Sequence, residues 1–179
     1  MLYAFGFERV GVVVGDLYFV NPEPEPGQEG PERGVRIELR MLEPGELKGS
    51  IYSARPIMID RPLWRGDLLE SADGPFATFD RTHHHPRFRA WEPGLRVFVE
   101  QLTADPLGWV AERLCDLDGL LKEAGVAPDE VGPADSVDLR RTVPQIMDAI
   151  NLLLEGIRDG RLAQPPGDEP VTEARRGWL

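Results

Sequence analysis

The sequence has few of the residues that mark secreted or membrane-spanning proteins. Its 179 residues include one cysteine, Cys115, which excludes an internal disulfide and favours a reducing compartment. No apolar run approaches the roughly 18 residues needed to span a bilayer. The first residues also lack the basic segment and apolar stretch of a signal peptide. These absences predict a cytoplasmic protein that does not enter a membrane.

Positive charge is also scarce, since 31 acidic residues face 20 basic ones and the net charge is −11. The excess of acid lies at the two ends, because residues 1–30 carry −4, residues 101–179 carry −7 and residues 31–100 are neutral overall. Contacts along a duplex backbone need clustered lysine and arginine. The composition therefore excludes broad binding of duplex DNA, and it permits a local arginine site in the central segment.

The spacing of apolar residues divides the chain into a β part and an α part. An apolar content of 41% is typical of a globular protein, and the length predicts a single domain. We expect one α+β domain over residues 1–163, mainly β in 1–100 and mainly α in 101–163. Residues 164–179 are rich in proline, glycine and charge, which predicts a flexible tail.

The first hundred residues predict an antiparallel meander of about five strands. Residues 7–20 are rich in valine around Gly15-Asp16, which favours a β-hairpin. A proline-rich loop follows at 21–31, and further strands are expected at 50–59 and 63–69. Together with the helices described below, these strands predict an open sheet covered on one face.

The strand expected over residues 35–42 alternates apolar and charged side chains with a period of two. Such alternation predicts one face in the core and one in water. The apolar side chains at odd positions from 35 to 41 should point inward. Arg36, Glu38 and Arg40 should therefore be exposed to solvent.

Two helices are expected in the second half of the chain, packed on one face of the sheet. Asp105 and Pro106 fit the cap and first position of a helix that ends at Gly125. Thr142 and Gln145 resemble a capping box before an apolar stripe over residues 143–158. This stripe is wider than one packing partner needs, so it also predicts a homodimer surface.

The central segment collects all three histidines of the chain beside arginines and carboxylates. The residues concerned are Arg61, Arg65, Asp67, Glu70, Asp80, Arg81, His83, His84 and His85. These residue types can transfer protons, bind a metal ion or hold a phosphate group. We therefore expect any functional site to lie within residues 61–86.

A divalent metal ion is one ligand that this segment could hold. If residues 82–86 are extended, His83 and His85 point to one face and His84 to the other. Two imidazoles at that spacing can bind one ion, with Asp67, Glu70 or Asp80 completing the ligand set. The ion would polarise a phosphoryl oxygen or activate water.

A metal-free reaction would use the same residues. His83 and His85 could act as a general acid and base, with Asp67 orienting a partner. Arg65 would hold the reacting phosphate, helped by the substrate-binding residues Arg61 and Arg81. Either chemistry predicts a hydrolase that acts on phosphodiester bonds, such as those of RNA, or on nucleotides.

Two other interpretations stay open beside the hydrolase. The cluster could be a set of structural ion pairs, in which case the chain is a non-catalytic, acidic, partner-binding protein that dimerises through residues 143–158. A small-molecule pocket lined by Trp64, Phe76, Phe79 and Trp91 is the third interpretation, although strand aromatics are more often core residues.

The histidine segment resembles the TumE-type toxins of bacterial toxin–antitoxin pairs. The resemblance covers roughly residues 50–88 and is carried by Leu63-Trp-Arg-Gly-Asp67, Thr78-Phe-Asp80 and His83-His-His-Pro86. It implies an RNA-directed toxin. The positions that match the family are Arg65, Asp67, His83 and His85.

Overall fold

One antiparallel sheet organises the chain in the computed structural model, which describes residues 1–167 and 172–178. Its strands follow the order β1-β2-β3-β4-β5, and a C-terminal strand, β8, pairs with β2. The helices follow the meander and pack against β2, β3 and β4. The predicted α+β class, a five-stranded meander followed by helices packed on the sheet, is therefore confirmed.

The bounds of the elements are as follows. The strands are β1 (Leu2–Gly6), β2 (Val10–Val20), β3 (Pro31–Pro44), β4 (Ile57–Ser71), β5 (His83–His85), β6 (Phe88–Arg89), β7 (Glu92–Pro93) and β8 (Ala174–Gly177). The helices are α1 (Glu100–Ala104), α2 (Pro106–Cys115), α3 (Leu117–Ala124) and α4 (Asp135–Arg158), with a 3-10 turn at Pro128–Glu130. No helix in the described part of the chain combines the length and apolarity needed to cross a membrane.

The hairpin predicted around Gly15-Asp16 is wrong, because β2 runs through these residues without a turn. The chain turns earlier, where the Phe7 N–H donates to the Val10 carbonyl. Gly15 is paired on both sides, with Leu2 of β1 and with Arg36 of β3, so it lies in the interior of the sheet. A glycine inside a valine-rich run can therefore belong to a continuous strand.

A single long strand, β4, replaces the two short strands predicted at 50–59 and 63–69. It begins at Ile57 and continues past Pro62, where the pairing with β3 shifts in register. Proline cannot donate to a ladder, and an irregularity of this kind accommodates it within a strand. Residues 51–53 form a turn.

The helical part is more divided than predicted. The first predicted helix is broken into α2 and α3, and the carboxylate of Asp116 caps α3 by accepting from the Gly119 N–H. Gly125 ends α3 in the left-handed conformation, as expected. α4 starts seven residues before the predicted cap at Thr142, whose hydroxyl donates to the Asp138 carbonyl inside the helix.

The two faces of the sheet differ in chemistry. One face packs on the helices through apolar side chains such as Val35, Ile37 and Leu39, which are all fully buried. The other face carries Arg36 and Glu38, which are also buried. The prediction that these charged side chains point into water is wrong. Residues 86–99, called the cover segment below, lie over this face of the sheet, where Phe88 contacts Arg65 and Trp91 contacts Arg40.

The segment predicted as a flexible tail, residues 164–179, contains the strand β8. It lies beside β2 with Arg175 opposite Phe19 and Arg176 opposite Tyr18. Arg176 also donates to the carbonyl of Pro165. This part of the tail is therefore held in the sheet by pairing with a central strand.

Candidate functional site

The candidate site lies where β4 meets β5, and the register of these strands positions its residues. Asp67 lies opposite His83, and Arg65 lies opposite His85. Directly opposed residues in an antiparallel ladder point to the same face of the sheet. The predicted pairing between the strand around Asp67 and the histidine segment is confirmed, and it brings the predicted carboxylate and both histidines together.

Three of these side chains converge to form what we call the Asp–His cluster, which consists of Asp67, His83 and His85. The Nε2 atoms of His83 and His85 lie 3.4 and 3.6 Å from Oδ2 of Asp67. The three candidate ligand atoms all lie within 4.8 Å of one another, and all three residues are buried. This is the set of donors that sequence analysis assigned to a metal ion, with Asp67 as the carboxylate.

The other ring nitrogen of each histidine fixes the orientation of its imidazole. Nδ1 of His83 lies 2.8 Å from the carbonyl oxygen of Arg81, and Nδ1 of His85 lies 2.8 Å from that of Gly94. A carbonyl oxygen can only accept, so both Nδ1 atoms carry hydrogen. A neutral ring would then turn its Nε2 lone pair towards the carboxylate of Asp67, an unfavourable contact that either a proton on Nε2 or a metal ion between the atoms would relieve. Metal-binding histidines are held in this way in many proteins.

The distances between the Nε2 atoms and Asp67 bear on whether a proton or a metal ion lies between them. A hydrogen bond from a protonated ring to a carboxylate is about 2.7 to 2.9 Å long. Four ligands at about 2.1 Å around a tetrahedral ion lie about 3.4 Å from one another. The observed separations of 3.4 and 3.6 Å are longer than such a hydrogen bond and are close to two edges of a tetrahedral site.

Arg36 holds the carboxylate of Asp67 from the neighbouring strand. Its Nε and Nη2 atoms donate to Oδ1 and Oδ2 of Asp67 at 2.6 and 3.1 Å. Burial alone would raise the pKa of Asp67, but the Arg36 guanidinium and the two imidazoles hold this pKa well below its ordinary value. The carboxylate is therefore an ionised ligand at any pH near neutrality.

A second buried carboxylate, Glu38, orders the arginines around the cluster. It accepts from Arg65 at 2.8 Å and from Arg40 at 2.6 Å. Burial and the nearby charge of Arg36 lower the pKa of Arg65 from its usual value. Arg65 therefore lies largely buried opposite His85, paired with Glu38 and close to the charge of Arg36.

The cover segment closes this face of the sheet. The Phe98 ring lies 5.6 Å from the His83 ring, and the Phe88 ring lies 5.0 Å from the guanidinium of Arg65. The side chain of His83 is 1% exposed and that of His85 is 7% exposed. The cluster is thus nearly closed to solvent, and His85 is its most exposed member.

The third histidine, His84, lies on the opposite face, as its position in the strand predicts. Its Nδ1 accepts from the indole N–H of Trp64 at 3.3 Å, and its ring lies 5.0 Å from that of Trp109. Burial lowers the pKa of His84 to about 4, and the positive charge of Arg113 adds to this effect. His84 is therefore a neutral core residue.

This low pKa predicts that His84 makes the fold sensitive to acid. The unfolded chain gains the proton below about pH 6.5 and the folded chain only near pH 4, so stability is lost as the pH falls between these values. We expect the loss between about pH 7 and pH 4.5 to be roughly 2 kcal/mol smaller in His84→Asn, which keeps an acceptor for Trp64 but cannot titrate. Urea unfolding at both pH values measures it, and equal losses in both proteins would contradict the assignment.

Several predicted site residues lie elsewhere. Arg61 forms an exposed ion pair with Glu130 of the 3-10 turn. Arg81 donates to the backbone carbonyls of Gly27 and Glu29, so it anchors the proline-rich loop. The side chains of both arginines are therefore bound outside the cluster, and only the backbone carbonyl of Arg81 contacts it, at His83.

The remaining carboxylates also have structural partners. Asp80 accepts from the Ser71 N–H and the Thr78 hydroxyl, and Glu70 pairs with Arg33. Neither belongs to the group of potential metal ligands that contains Asp67.

The aromatic residues proposed as a small-molecule pocket do not surround one cavity. Trp64 is fully buried on the helical face, stacked on Trp109. Trp91 lies on the other face, over Arg40. A small cavity is lined by Phe76 and Phe79 without either tryptophan.

Comparison with known proteins gives no family for this chain. A scan against protein-family models, a search of curated proteins and a search of solved structures each found no match. The resemblance to the TumE-type toxins therefore depends on the residues quoted for it, of which Arg65, Asp67, His83 and His85 lie together in the fold. What the structure shows is a buried Asp–His cluster that could form a functional, metal-binding site.

Proposed function

We propose that the protein binds one divalent transition-metal ion through the Asp–His cluster and uses it to hydrolyse phosphodiester or nucleotide bonds. The observation that carries the proposal is the orientation of both imidazoles, whose Nδ1 atoms are bound to carbonyl oxygens while both Nε2 atoms face one carboxylate oxygen. The set of two nitrogens and one oxygen with tetrahedral spacing fits Zn²⁺.

The number of ligands supports a catalytic centre over a purely structural one. The group of potential ligands among the described residues contains three members, which leaves a fourth tetrahedral position. Structural zinc sites commonly have four protein ligands, whereas catalytic sites have three and a water molecule. A bound ion would supply an activated water and polarise the phosphoryl oxygen. We assign Arg65 to hold the phosphate, because it lies opposite His85 and is 11% exposed, although its guanidinium now pairs with Glu38.

The resemblance to RNA-directed toxins adds the substrate class to this proposal. RNA and nucleotides carry the phosphate that Arg65 can bind, and the reaction would be a hydrolysis at phosphorus. The neutral charge of residues 31–100 removes much of the repulsion that the acidic ends would exert on such a substrate.

The experiment is metal analysis of protein purified without a histidine tag and loaded with Zn²⁺. We expect about one ion per chain, and we expect His83→Ala and His85→Ala to lose it, because two remaining ligands bind such an ion weakly. His84→Asn is the matched control, since His84 belongs to the same strand but faces the core. Replacement by Co²⁺ should give the intense visible bands of a tetrahedral site.

Hydrolysis is measured on the same samples with an RNA oligonucleotide and a nucleoside triphosphate. We expect cleavage that depends on the metal and is lost in His83→Ala but kept in His84→Asn. If Zn²⁺ fails to bind with defined stoichiometry, the proposal is wrong. If the metal binds and no phosphate ester is cleaved, the catalytic part is wrong and the metal is structural.

The burial of all three ligands favours one second candidate, a partner-binding protein whose metal ion stabilises the fold. Its partner surface would be the predicted one on residues 143–158, where Leu152 is 54% exposed. Binding to a second copy through this surface would appear in light scattering as a concentration-dependent dimer. Leu152→Glu should then shift the protein to the monomer, whatever the state of the metal site.

A further inference from the structure

The two histidines of the Asp–His cluster take their orientation from different parts of the chain. The Nδ1 atom of His83 donates to the carbonyl oxygen of Arg81, two residues earlier in the same segment. The Nδ1 atom of His85 donates to the carbonyl oxygen of Gly94, which belongs to the cover segment. The orientation of His83 is therefore fixed locally, whereas that of His85 depends on where the cover segment lies.

An ion pair between Arg96 and Glu32 holds the cover segment on the sheet. The Nη1 and Nη2 atoms of Arg96 donate to Oε1 and Oε2 of Glu32 at 2.9 and 3.2 Å, and Nη1 also donates to Gln28 at 2.8 Å. Glu32 lies four residues before Arg36 on β3, so it belongs to the face that carries the cluster, and it is 2% exposed. Two parallel hydrogen bonds between a guanidinium and a carboxylate fix direction as well as position.

Backbone hydrogen bonds carry the effect of this ion pair to Gly94. The N–H of Val97 donates to the carbonyl of His84 at 2.9 Å, and the N–H of His84 donates to the carbonyl of Val97 at 3.0 Å. On its other side, the N–H of Gly94 donates to the carbonyl of Arg87 within the β6–β7 hairpin. Gly94 thus lies between the hairpin and the attached pair Arg96-Val97, and both position its carbonyl.

The other attachments of the cover segment leave this part to Arg96. Arg87 donates to the carbonyl of Glu123 and anchors the beginning of the segment on α3. The strands β6 and β7 are two residues long and pair with each other, outside the main sheet. Trp91 and Phe98 are 56% and 50% exposed, so they bury little apolar surface. A segment with few buried apolar contacts opens at a low cost in free energy, which makes the charged anchor decisive.

We propose that Arg96 is a positioning residue for the metal site, which acts by holding the Gly94 carbonyl against His85. The inference rests on the proposed function, because it concerns the ion bound by the Asp–His cluster. Release of Arg96 from Glu32 would let the cover segment lift and leave the Nδ1–H of His85 without its acceptor. The imidazole would then be free to turn its Nε2 atom away from the metal position. Hydrogen-bond partners of metal ligands typically contribute about 10- to 100-fold to the affinity for the ion.

Closure of the cover segment and binding of the ion are then coupled in both directions. An ion on His85 keeps its ring in the orientation that the Gly94 carbonyl accepts, and so it favours the closed cover. Opening of the cover, which would admit a substrate to the ion, weakens the hold of the site on that ion. The Arg96–Glu32 pair thus regulates both the access to the site and its affinity for metal.

The experiment measures metal binding to the full chain, with Zn²⁺ in competition with a chelator and with Co²⁺, whose visible bands report the geometry of the site. Arg96→Gln should weaken the binding of both ions about 10- to 100-fold and alter the bands of Co²⁺. Arg96→Lys keeps the charge without the fork and should restore part of the affinity. Glu32→Gln should have the same effect as Arg96→Gln, and the two changes together should cost no more than one.

A second measurement needs no metal ion. A buried, hydrogen-bonded imidazole N–H exchanges slowly with water and gives a resolved signal in the proton NMR spectrum. The wild type should show such signals for His83 and His85, and Arg96→Gln should lose that of His85 alone, because His83 does not depend on the cover segment. The control variant is Arg89→Gln, which changes an exposed arginine of the same segment opposite Glu92. It should change neither the signals nor the metal affinity.

The outcomes separate this inference from the proposed function. If the wild type binds neither ion, the proposed function is wrong, and selective loss of the His85 signal in Arg96→Gln still supports the positioning of His85 by the cover segment. Wild-type metal affinity and an unchanged His85 signal in Arg96→Gln overturn the inference, even if the ion binds and RNA is cleaved. Loss of both histidine signals, or an equal fall in affinity in Arg89→Gln, also overturns it, because Arg96 then supports the fold in general.

Discussion

Asp67→Ala is expected to lower the free energy of unfolding by about 3 to 5 kcal/mol, one of the two largest effects of any single substitution considered. The reason is Arg36, which is 7% exposed and donates twice to Asp67. Without the carboxylate, a buried guanidinium keeps its charge and loses both hydrogen bonds. Urea unfolding at neutral pH measures the loss.

A matched substitution shows whether the loss of stability comes from the buried ion pair or from the removal of any carboxylate. Asp148→Asn changes an exposed carboxylate on α4 that has no hydrogen-bond or ion-pair partner among the described residues. It should change stability by less than about 0.5 kcal/mol. If Asp67→Ala costs no more than this control, then Arg36 finds water or another partner, and the buried ion pair does not stabilise the fold.

Gly34→Ala is expected to be similarly damaging, with a loss of more than about 3 kcal/mol or failure to fold. A Cβ atom at this position would lie 2.0 Å from the carbonyl oxygen of Leu68. Backbone cannot move aside as a flexible side chain can, so β3 and β4 would have to separate. Thermal and urea unfolding would report the loss.

The position of Gly34 ties this prediction to the candidate site. Gly34 lies opposite Leu69 of β4, two residues before Arg36 in β3, so separation of the strands there would also disturb the contact between Arg36 and Asp67. Gly167→Ala is the control, because a Cβ there meets nothing within 4 Å. Near-normal stability of Gly34→Ala would mean that the strands are further apart than the structure shows.

The central part of the site was predictable because it depends on local periodicity. The alternation of a strand fixes which of three adjacent histidines share a face, and only His83 and His85 do. A short connection between two extended segments favours their pairing, which brought Asp67 to the histidines. These inferences need only the period of a strand and the tendency of neighbouring strands to pair.

The surroundings of the site were not predictable from local pattern. Alternation correctly assigned Arg36 and Glu38 to the face opposite the core, but it says nothing about what covers that face. The cover segment has the composition of a loop, and its packing over the charges follows from contacts of Phe88 and Phe98 that are distant in sequence. The pairing of β8 with β2 likewise joins residues more than 150 positions apart.

The helical errors have a different cause. α4 begins in Asp135-Ser-Val-Asp-Leu-Arg-Arg-Thr142, a largely polar run in which the buried Leu139 is easily missed. Asp135 is itself fully buried, where it accepts from the backbone N–H groups of Glu8 and Arg9. The start of the helix is therefore set by a contact with the β1–β2 turn, and a capping pattern seven residues later was misleading.

The long strand β4 extends well beyond its short neighbour β5. β5 covers only residues 65–67 of β4, and no strand in the described part of the chain pairs with residues 57–64 on the side away from β3. Ile57, Met58 and Ile59 are exposed along this open edge. Unpaired edges of this kind can add a strand from another chain, although Pro62 removes one donor.

Electrostatic repulsion between copies opposes such an addition, because each chain carries a net charge of −11. At physiological ionic strength, salt screens this repulsion beyond about 8 Å, and higher salt screens it more strongly. Salt does not weaken the hydrophobic attraction between the exposed isoleucines of two copies. The colloidal stability of the protein therefore depends on its acidity and not on a protected sheet edge. Concentrated salt would promote association along β4, and low ionic strength would keep the chains apart.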